Sequence, residues 1–434
     1  MLLHRTESVC PSCRRDVDAA VVREYGSVYM VKSCPEHGEF RVKIANKAWY
    51  YQGLHDFYNR LMPADFDRRR RCRSYAFFVT SRCNLNCPIC FTDANATRHV
   101  EEMPLTRVAT LLEQVQGQGK LIRLSGGEPT LHPDLPRIVE MVERSGNASG
   151  VFTNGLVLQE MGLLHELRRR GLRWVVMWVD SLTREEVNLV VRGRPLLEPK
   201  RVALQNIRCS RIPFLLYHVK VKGVNDEDTG DLWRYALDND FVRAVWFKGY
   251  AHLGKKQLSR DNEYVMDELV EELARVTGAF TLEDIYCYQK LCHIASAVTQ
   301  TPSCYYGQNI VVPRRPGRRL ELARLAGLLD EFERRHDTGL DVAMRFLLPR
   351  LTVSLARHAP ILLLQSLRKR LTVPGAFFDP TAALPGHMLM IISSFYDAHN
   401  YDRLQMMRQC SNGAFHLGPG NNIPLCEQSV RCFG

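Results

Sequence analysis

Between residues 74 and 250 the apolar pattern changes period eleven segments in a row. Short apolar runs stand at 75–81 (YAFFVTS), 121–125 (LIRLS), 150–155 (GVFTNG), 173–180 (RWVVMWVD), 214–223 (FLLYHVKVKG) and 243–249 (RAVWFKG). Between them, residues 105–118, 135–145, 163–171, 199–208 and 229–239 carry apolar residues at helical spacing. Strands alternating with helices predict a parallel sheet, because each helix carries the chain back to the same edge. About six β/α units are readable. That is too few for a closed eight-stranded barrel and enough for an open partial one. The fold class expected is therefore α/β, with a partial (β/α)6 barrel over residues 66–255. In such a sheet the chemistry belongs to the loops at the strand C-termini.

The unusual sequences fall in those loops. Cys83, Cys87 and Cys90 follow the first strand, Gly126, Gly127 and Glu128 the second, Asn154 the third, and Asp180 and Ser181 the fourth. The three cysteines pose a chemical question, since a tetrahedral zinc and an iron–sulfur cube each take four ligands. Three thiolates on a cube leave one iron open to a small molecule. A zinc site whose fourth ligand lies elsewhere is the alternative on spacing alone.

Residues 1–65 predict a separate metal-stapled module. CPSC at 10–13 and CPEHG at 34–38 flank a hairpin-like stretch, so Cys10, Cys13, Cys34 and His37 can close a tetrahedron around zinc or a single iron. Residues 256–434 read as a mostly helical C-terminal region with six further cysteines: Cys287, Cys292, Cys304, Cys410, Cys426 and Cys432. Six thiolates would complete one auxiliary 4Fe-4S cube, and a second would need other ligands, His293 and His416 being the nearest candidates. Cys209, in a helical stretch, is expected to be a small core residue.

Composition narrows the class. Fourteen cysteines in a chain without a signal peptide or a long apolar run point to metal ligation in a reducing cytoplasm. The net charge of +11 suits an anionic cofactor, a phosphorylated substrate or headgroups at a membrane surface. Nucleic acid is disfavoured, because the arginine runs at 68–73, 314–319 and 368–370 lack neighbouring aromatic platforms.

The combination of Cys-x3-Cys-x2-Cys after one strand and GGEP after the next resembles the radical S-adenosylmethionine (SAM) superfamily. The resemblance implies that Cys83, Cys87 and Cys90 hold a SAM-binding 4Fe-4S cluster whose vacant iron is chelated by the methionine end of S-adenosylmethionine. It also implies that Gly126, Gly127 and Glu128 meet the cofactor's amino group. Asn154, Asp180 and Ser181 are candidates to touch ribose or substrate, and the backbone of KGVNDED (222–228) is a candidate adenine platform. A one-electron donor such as ferredoxin or flavodoxin is implied, as is the formation of a 5′-deoxyadenosyl radical.

The order CPSC…CPEHG, CNLNCPIC, SGGEPTLHPDL, RGRPLLEPK, VKGVNDEDTGDLWRYALDN and TGAFTLEDIY is similar to one branch of that superfamily. That branch contains the archaeal tetraether lipid synthase and a related archaeal pterin-carbon methylase. Departures at WVDSL (178–182) and FKGYAHLGKK (247–256), and a short C-terminal part, touch the substrate-facing regions. Apolar helices expected within 344–378, flanked by Arg350, Arg357, Arg368, Lys369 and Arg370, place a lipid chain first as substrate, with peripheral membrane contact. Radical methylation of a pterin-type heterocycle is the alternative. A non-catalytic iron–sulfur protein that relays electrons or binds RNA is the reading from a different class.

Overall fold

In a computed structural model the alternation appears as expected and then extends beyond the segment that announced it. The structure describes residues 1–62, 72, 74–95, 101–255, 257–299, 302–315, 317, 319–336, 345–347, 349–353, 386–410, 412–415 and 423–432. Four strands, β1 (Leu2–Val9), β2 (Asp16–Glu24), β3 (Ser27–Cys34) and β4 (Gly38–Ala45), form an antiparallel sheet in chain order. The β2–β3 turn is Tyr25–Gly26, both at positive φ (48° and 82°), the tight turn whose twist matches its strands. Helix α1 (Ala48–Leu61) leaves this sheet and buries Tyr50, Tyr51, Leu54, Phe57 and Tyr58 in the main core.

The barrel follows: β5 (Ser74–Thr80), α2 (Leu105–Glu113), β6 (Leu121–Gly126), α3 (Leu135–Arg144), β7 (Ala148–Thr153), α4 (Met161–Arg169), β8 (Trp174–Trp178), α5 (Glu185–Arg192), α6 (Leu197–Ser210), β9 (Phe214–Lys220), α7 (Asp228–Asp238) and β10 (Val242–Gly249). All six strands run parallel. Helix α5 was not legible in the sequence. It is short and ends at Gly193, whose φ of 78° is the left-handed stop. Cys209 is a correction: it sits on α6 but is exposed, not in the core.

The remaining elements are α8 (Met266–Thr277), α9 (Leu282–Thr299), β11 (Gly307–Pro313), α10 (Ala326–His336), β12 (His387–Ser393), α11 (Arg403–Gln409), β13 (Asn412–Phe415), β14 (Ile423–Pro424) and α12 (Leu425–Cys432). The sheet therefore continues past residue 255. Strand β12 lies parallel beside β10, and β13 parallel beside β5. The order is β11-β12-β10-β9-β8-β7-β6-β5-β13-β14, with β11 and β14 as antiparallel edges.

This C-terminal chain covers one face of the strands. Ala76 and Phe78 of β5 pack against Ala414 and Leu425, while Phe77 and Val79 join the main core on the other face. All seven residues of β5 are buried, which is why it reads as a continuous apolar run instead of an alternating one. Of the segment 344–378, only residues 345–347 and 349–353 are described; Arg357, Arg368, Lys369 and Arg370 lie outside the described residues. Among the described residues, no helix is long and apolar enough to cross a membrane.

Candidate metal centres

The first centre is built from two knuckles at one end of the four-stranded sheet. Cys10 follows β1, Cys34 ends β3, and each knuckle closes on a left-handed residue, Arg14 (φ 64°) and Gly38 (φ 74°). The ligand atoms of Cys10, Cys13, Cys34 and His37 all lie within 4.8 Å of one another. Cys10 Sγ is 3.7 Å and Cys34 Sγ 3.5 Å from His37 Nδ1, and Cys13 Sγ is 3.9 Å from Cys34 Sγ. Bonds of about 2.3 Å to zinc place tetrahedral sulfurs about 3.8 Å apart, so the donor set fits such an ion. The His37 ring pulls the Cys34 thiol down to about 6, which readies it for ligation.

Cys83, Cys87 and Cys90 lie in the loop after β5, and that loop is laced to two others by backbone. Gly127 N donates to Thr80 O and Glu128 N to Arg82 O, each at 2.7 Å. The approach is close enough to demand glycine: a Cβ at Gly126 (φ 129°) would stand 2.3 Å from Thr80 O, and one at Gly127 2.3 Å from Arg82 O. Backbone N–H groups of Leu85 and Ala94 point at Cys83 Sγ and Cys90 Sγ, both at 3.4 Å. Burial pushes the Cys83 thiol up to about 12, and among the described residues the triplet is not gathered as tightly as the first four ligands. A cube presents its irons at separate corners and asks for more widely spaced thiols than one ion does, so this donor set fits a cube better than a lone ion.

Glu128 is buried, and its carboxylate is largely spent inside the protein. Oε1 accepts from Thr130 N (3.1 Å), Thr130 Oγ1 (2.6 Å) and Thr153 Oγ1 (2.7 Å), and Oε2 from Asn154 N (2.6 Å). It thereby ties the loops after β6 and β7 together. Asn154 carries the tie onward, since its Nδ2 donates to Asn84 Oδ1 at 2.6 Å inside the cysteine loop. Asp180 is wholly buried and takes a bidentate pair from Arg192 Nε and Nη2, at 2.6 and 2.8 Å. Burial raises this carboxyl, but Arg192 outweighs it and holds Asp180 below the usual carboxylate range. Ser181 Oγ accepts from Thr183 N and Arg184 N at 3.1 and 2.8 Å, so it shapes the turn into α5. The polar atoms of Asp180 and Ser181 thus face protein partners.

Two residues at this rim escaped sequence reasoning. Arg192 pairs with Asp180 and also places its charge near Cys87, where it opposes the upward push of burial on the thiol. Lys200 donates to Asn154 O (2.6 Å) and Trp178 O (2.5 Å), and burial lowers it to about 8. Both stand in RGRPLLEPK, where two cations bracket an apolar loop, a pattern that alone does not reveal burial.

The C-terminal cysteines divide. Cys304, Cys410 and Cys426 lie close enough to influence one another electrostatically, and the neighbouring thiols and burial together push Cys426 up. Cys287 and Cys292, on α9, do not join them. Burial pushes the Cys287 thiol up to about 11, with Lys290 opposing, and Cys292 acts electrostatically on Tyr288. His293 packs against Phe57 and Tyr58, and burial lowers it to about 3. The side chain of Cys432, and His416, lie outside the described residues. Across β7–β10, Phe152, Trp178, Tyr217 and Trp246 contact one another with centroids 5.0–6.4 Å apart, four of the pairs edge-to-face and Tyr217–Trp246 tilted.

Comparison with known proteins agrees with this architecture. Residues 2–46 match the model of the HMPTM N-terminal zinc ribbon domain, and residues 77–236 that of the radical SAM superfamily. A 7,8-dihydro-6-hydroxymethylpterin dimethyltransferase of Methanocaldococcus jannaschii is 28% identical, over 98% of this chain and 93% of its own length. A probable GTP 3′,8-cyclase of Pyrococcus abyssi is 27% identical over 46% of this chain and 64% of its own. Among solved structures, Streptococcus suis SuiB bound to S-adenosylmethionine aligns with a TM-score of 0.41 and 16% identity, covering 54% of this chain and 51% of that chain.

Proposed function

We propose, from the premise that this chain belongs to the radical SAM superfamily and carries an N-terminal zinc ribbon, that it methylates carbon on a pterin-type heterocycle. The observation that carries this reading is the reach of the similarity to the M. jannaschii dimethyltransferase, which spans ribbon, barrel and C-terminal region alike. The likeness to the cyclase covers less than half of the chain.

In this reading Cys83, Cys87 and Cys90 hold the SAM-binding 4Fe-4S cluster, and Cys304, Cys410 and Cys426 ligate an auxiliary one. When bound, cluster and S-adenosylmethionine together supply a carbon radical able to take a hydrogen atom from an unactivated position. The chain's own residues do the rest. The Gly126–Glu128 loop holds the cysteine loop against the barrel rim. Glu128 and Asn154 fix three rim loops in one arrangement. Arg192 supplies positive charge beside Cys87. Phe152, Trp178, Tyr217 and Trp246 offer ring edges and faces that suit a flat heteroaromatic substrate. An external one-electron donor reduces the system.

A lipid chain, which the sequence placed first, draws its support from the basic apolar segment at 344–378, most of which lies outside the described residues. The aromatic cluster on β7–β10 suits the ring instead. The test is anaerobic turnover with reductant, S-adenosylmethionine to give the radical and a separate methyl source (a second molecule of S-adenosylmethionine or a reduced pterin carrying a methylene group), supplied either with 6-hydroxymethyl-7,8-dihydropterin or with ether lipid vesicles. A methylated pterin by mass spectrometry is the expected product. Cofactor cleavage stimulated by lipid and not by pterin would overturn the reading.

A further inference from the structure

Two cations are buried near the three C-terminal thiols, and among the described residues neither pairs with a carboxylate. Arg123, on β6, is 8% exposed, and its Nε and Nη2 find no acceptor among the described residues. Lys248, on β10, is 5% exposed, and its ammonium lies 3.0 Å from the centroid of the Phe395 ring. Sheet register places them near the elements that carry the thiols. Arg123 pairs with Ala76, which pairs with Ala414, four residues after Cys410 and beside the strand that leads into Cys426. Lys248 pairs with Ser393, which pairs with Gly307, and a Cβ on Gly307 would touch Cys304 Sγ. The groups acting on Arg123 are Cys410, Tyr217 and Cys426, and those acting on Lys248 are Cys426, Cys304 and Arg123 itself.

A buried charge is costly unless it is paired. Neutral thiols would leave Arg123 without a balancing charge in a dry site and disfavour the charged form of Lys248. Thiolates bound to metal would balance both at once. We propose that Arg123 and Lys248 are fixed counter-charges of an iron–sulfur centre held by Cys304, Cys410 and Cys426, and that they raise its reduction potential. The inference rests on the reading of those three thiols as cluster ligands. Net charge and hydrogen bonds to sulfur are two of the levers that set such a potential. Positive charge favours the reduced, more negative form, so the centre accepts an electron more readily than it would alone. Arg123 and Lys248 are positioning residues in this account, since they act through the cluster.

The experiment uses the full chain, reconstituted anaerobically, on a Cys83→Ala/Cys87→Ala/Cys90→Ala background that leaves one cluster to observe. Replacing Cys304, Cys410 and Cys426 by Ala should remove about four irons per chain. If no iron is lost, the ligand reading fails, and the inference with it. Arg123→Met and Lys248→Met should each retain iron but shift the reduction equilibrium at least tenfold toward the oxidised form, a drop of about 59 mV for a one-electron couple. The readout is a potentiometric titration followed by electron paramagnetic resonance. Arg123→Lys, which keeps the charge, should restore most of the shift. Unchanged midpoints in both Met variants with full iron would overturn the inference and leave the ligand reading standing. Should Arg123→Met fail to assemble, Lys248→Met and Lys248→Arg decide the matter alone.

Discussion

Replacing Arg192 by methionine exposes the energetics of the barrel rim. The variant removes both donors that Asp180 accepts at 2.6 and 2.8 Å and leaves a carboxylate with no solvent exposure. Lys200, which also acts on Asp180, is already committed to the carbonyls of Asn154 and Trp178 and cannot turn to Asp180 without abandoning them. Breaking a buried pair in this way costs about 3–5 kcal/mol, whereas replacing both partners with apolar groups of similar volume is often nearly neutral. Arg192→Met should therefore lose about 3–5 kcal/mol of stability, and Asp180→Leu/Arg192→Met should recover more than half of it. Urea unfolding followed by tryptophan fluorescence is a suitable assay, because Trp174 and Trp178 lie on the strand that ends just before Asp180. Because the Arg192 charge also favours the Cys87 thiolate, the single variant should bind less iron after reconstitution. A single variant within about 0.5 kcal/mol of the parent, or a double variant as unstable as the single, would refute the reasoning.

Other expectations follow from the same structure. Burial lowers His55 and His218 to about 4 and His293 to about 3, against about 6.5 in an unfolded chain. The unfolded state then binds more protons below pH 6.5, so stability is full above that pH and falls toward pH 4, by up to about 1.4 kcal/mol per pH unit for each histidine; a urea midpoint unchanged between pH 7 and pH 5 would contradict this. Gly127→Ala places a Cβ 2.3 Å from Arg82 O and 2.7 Å from Ser81 O, so the cysteine loop must move. Metal analysis should find the cluster iron reduced and the ribbon metal intact, and full iron in that variant would count against the backbone lacing. Cys34→Ser should release the ribbon metal and raise amide exchange at the two knuckles, while β1–β4 stay packed on the main core through Val9, Val21, Val28, Met30 and Ile44; retention of one ribbon metal per chain would refute the ligand set.

Much of the barrel was legible because β/α alternation changes period where the chain changes element. Sequence strands such as 214–223 and 243–249 overlap β9 and β10 closely. Strands β12 and β13 were not legible as barrel members, because they come from segments far downstream whose partners, β10 and β5, are set by tertiary packing alone. The ribbon ligands were readable because all four donors lie on two short knuckles. The division of the C-terminal cysteines was not, since Cys304 reaches Cys410 and Cys426 only through the sheet. Asp180 and Glu128 were visible as polar residues on the rim, but their partners, Arg192 and the Thr130–Asn154 loop, depend on how the loops fold over one another. Arg123 looked like one more strand residue, because its burial without an acceptor is a property of the closed interior.

The central claim is that three thiolates at the first loop leave one iron corner free to bind S-adenosylmethionine. Its most direct measurement is 5′-deoxyadenosine release by the dithionite-reduced protein, compared with Cys83→Ala/Cys87→Ala/Cys90→Ala under the same anaerobic conditions. The parent should cleave the cofactor, and the variant should cleave none while keeping its ribbon metal. Equal cleavage by both proteins, or none by the fully iron-loaded parent, would contradict the account.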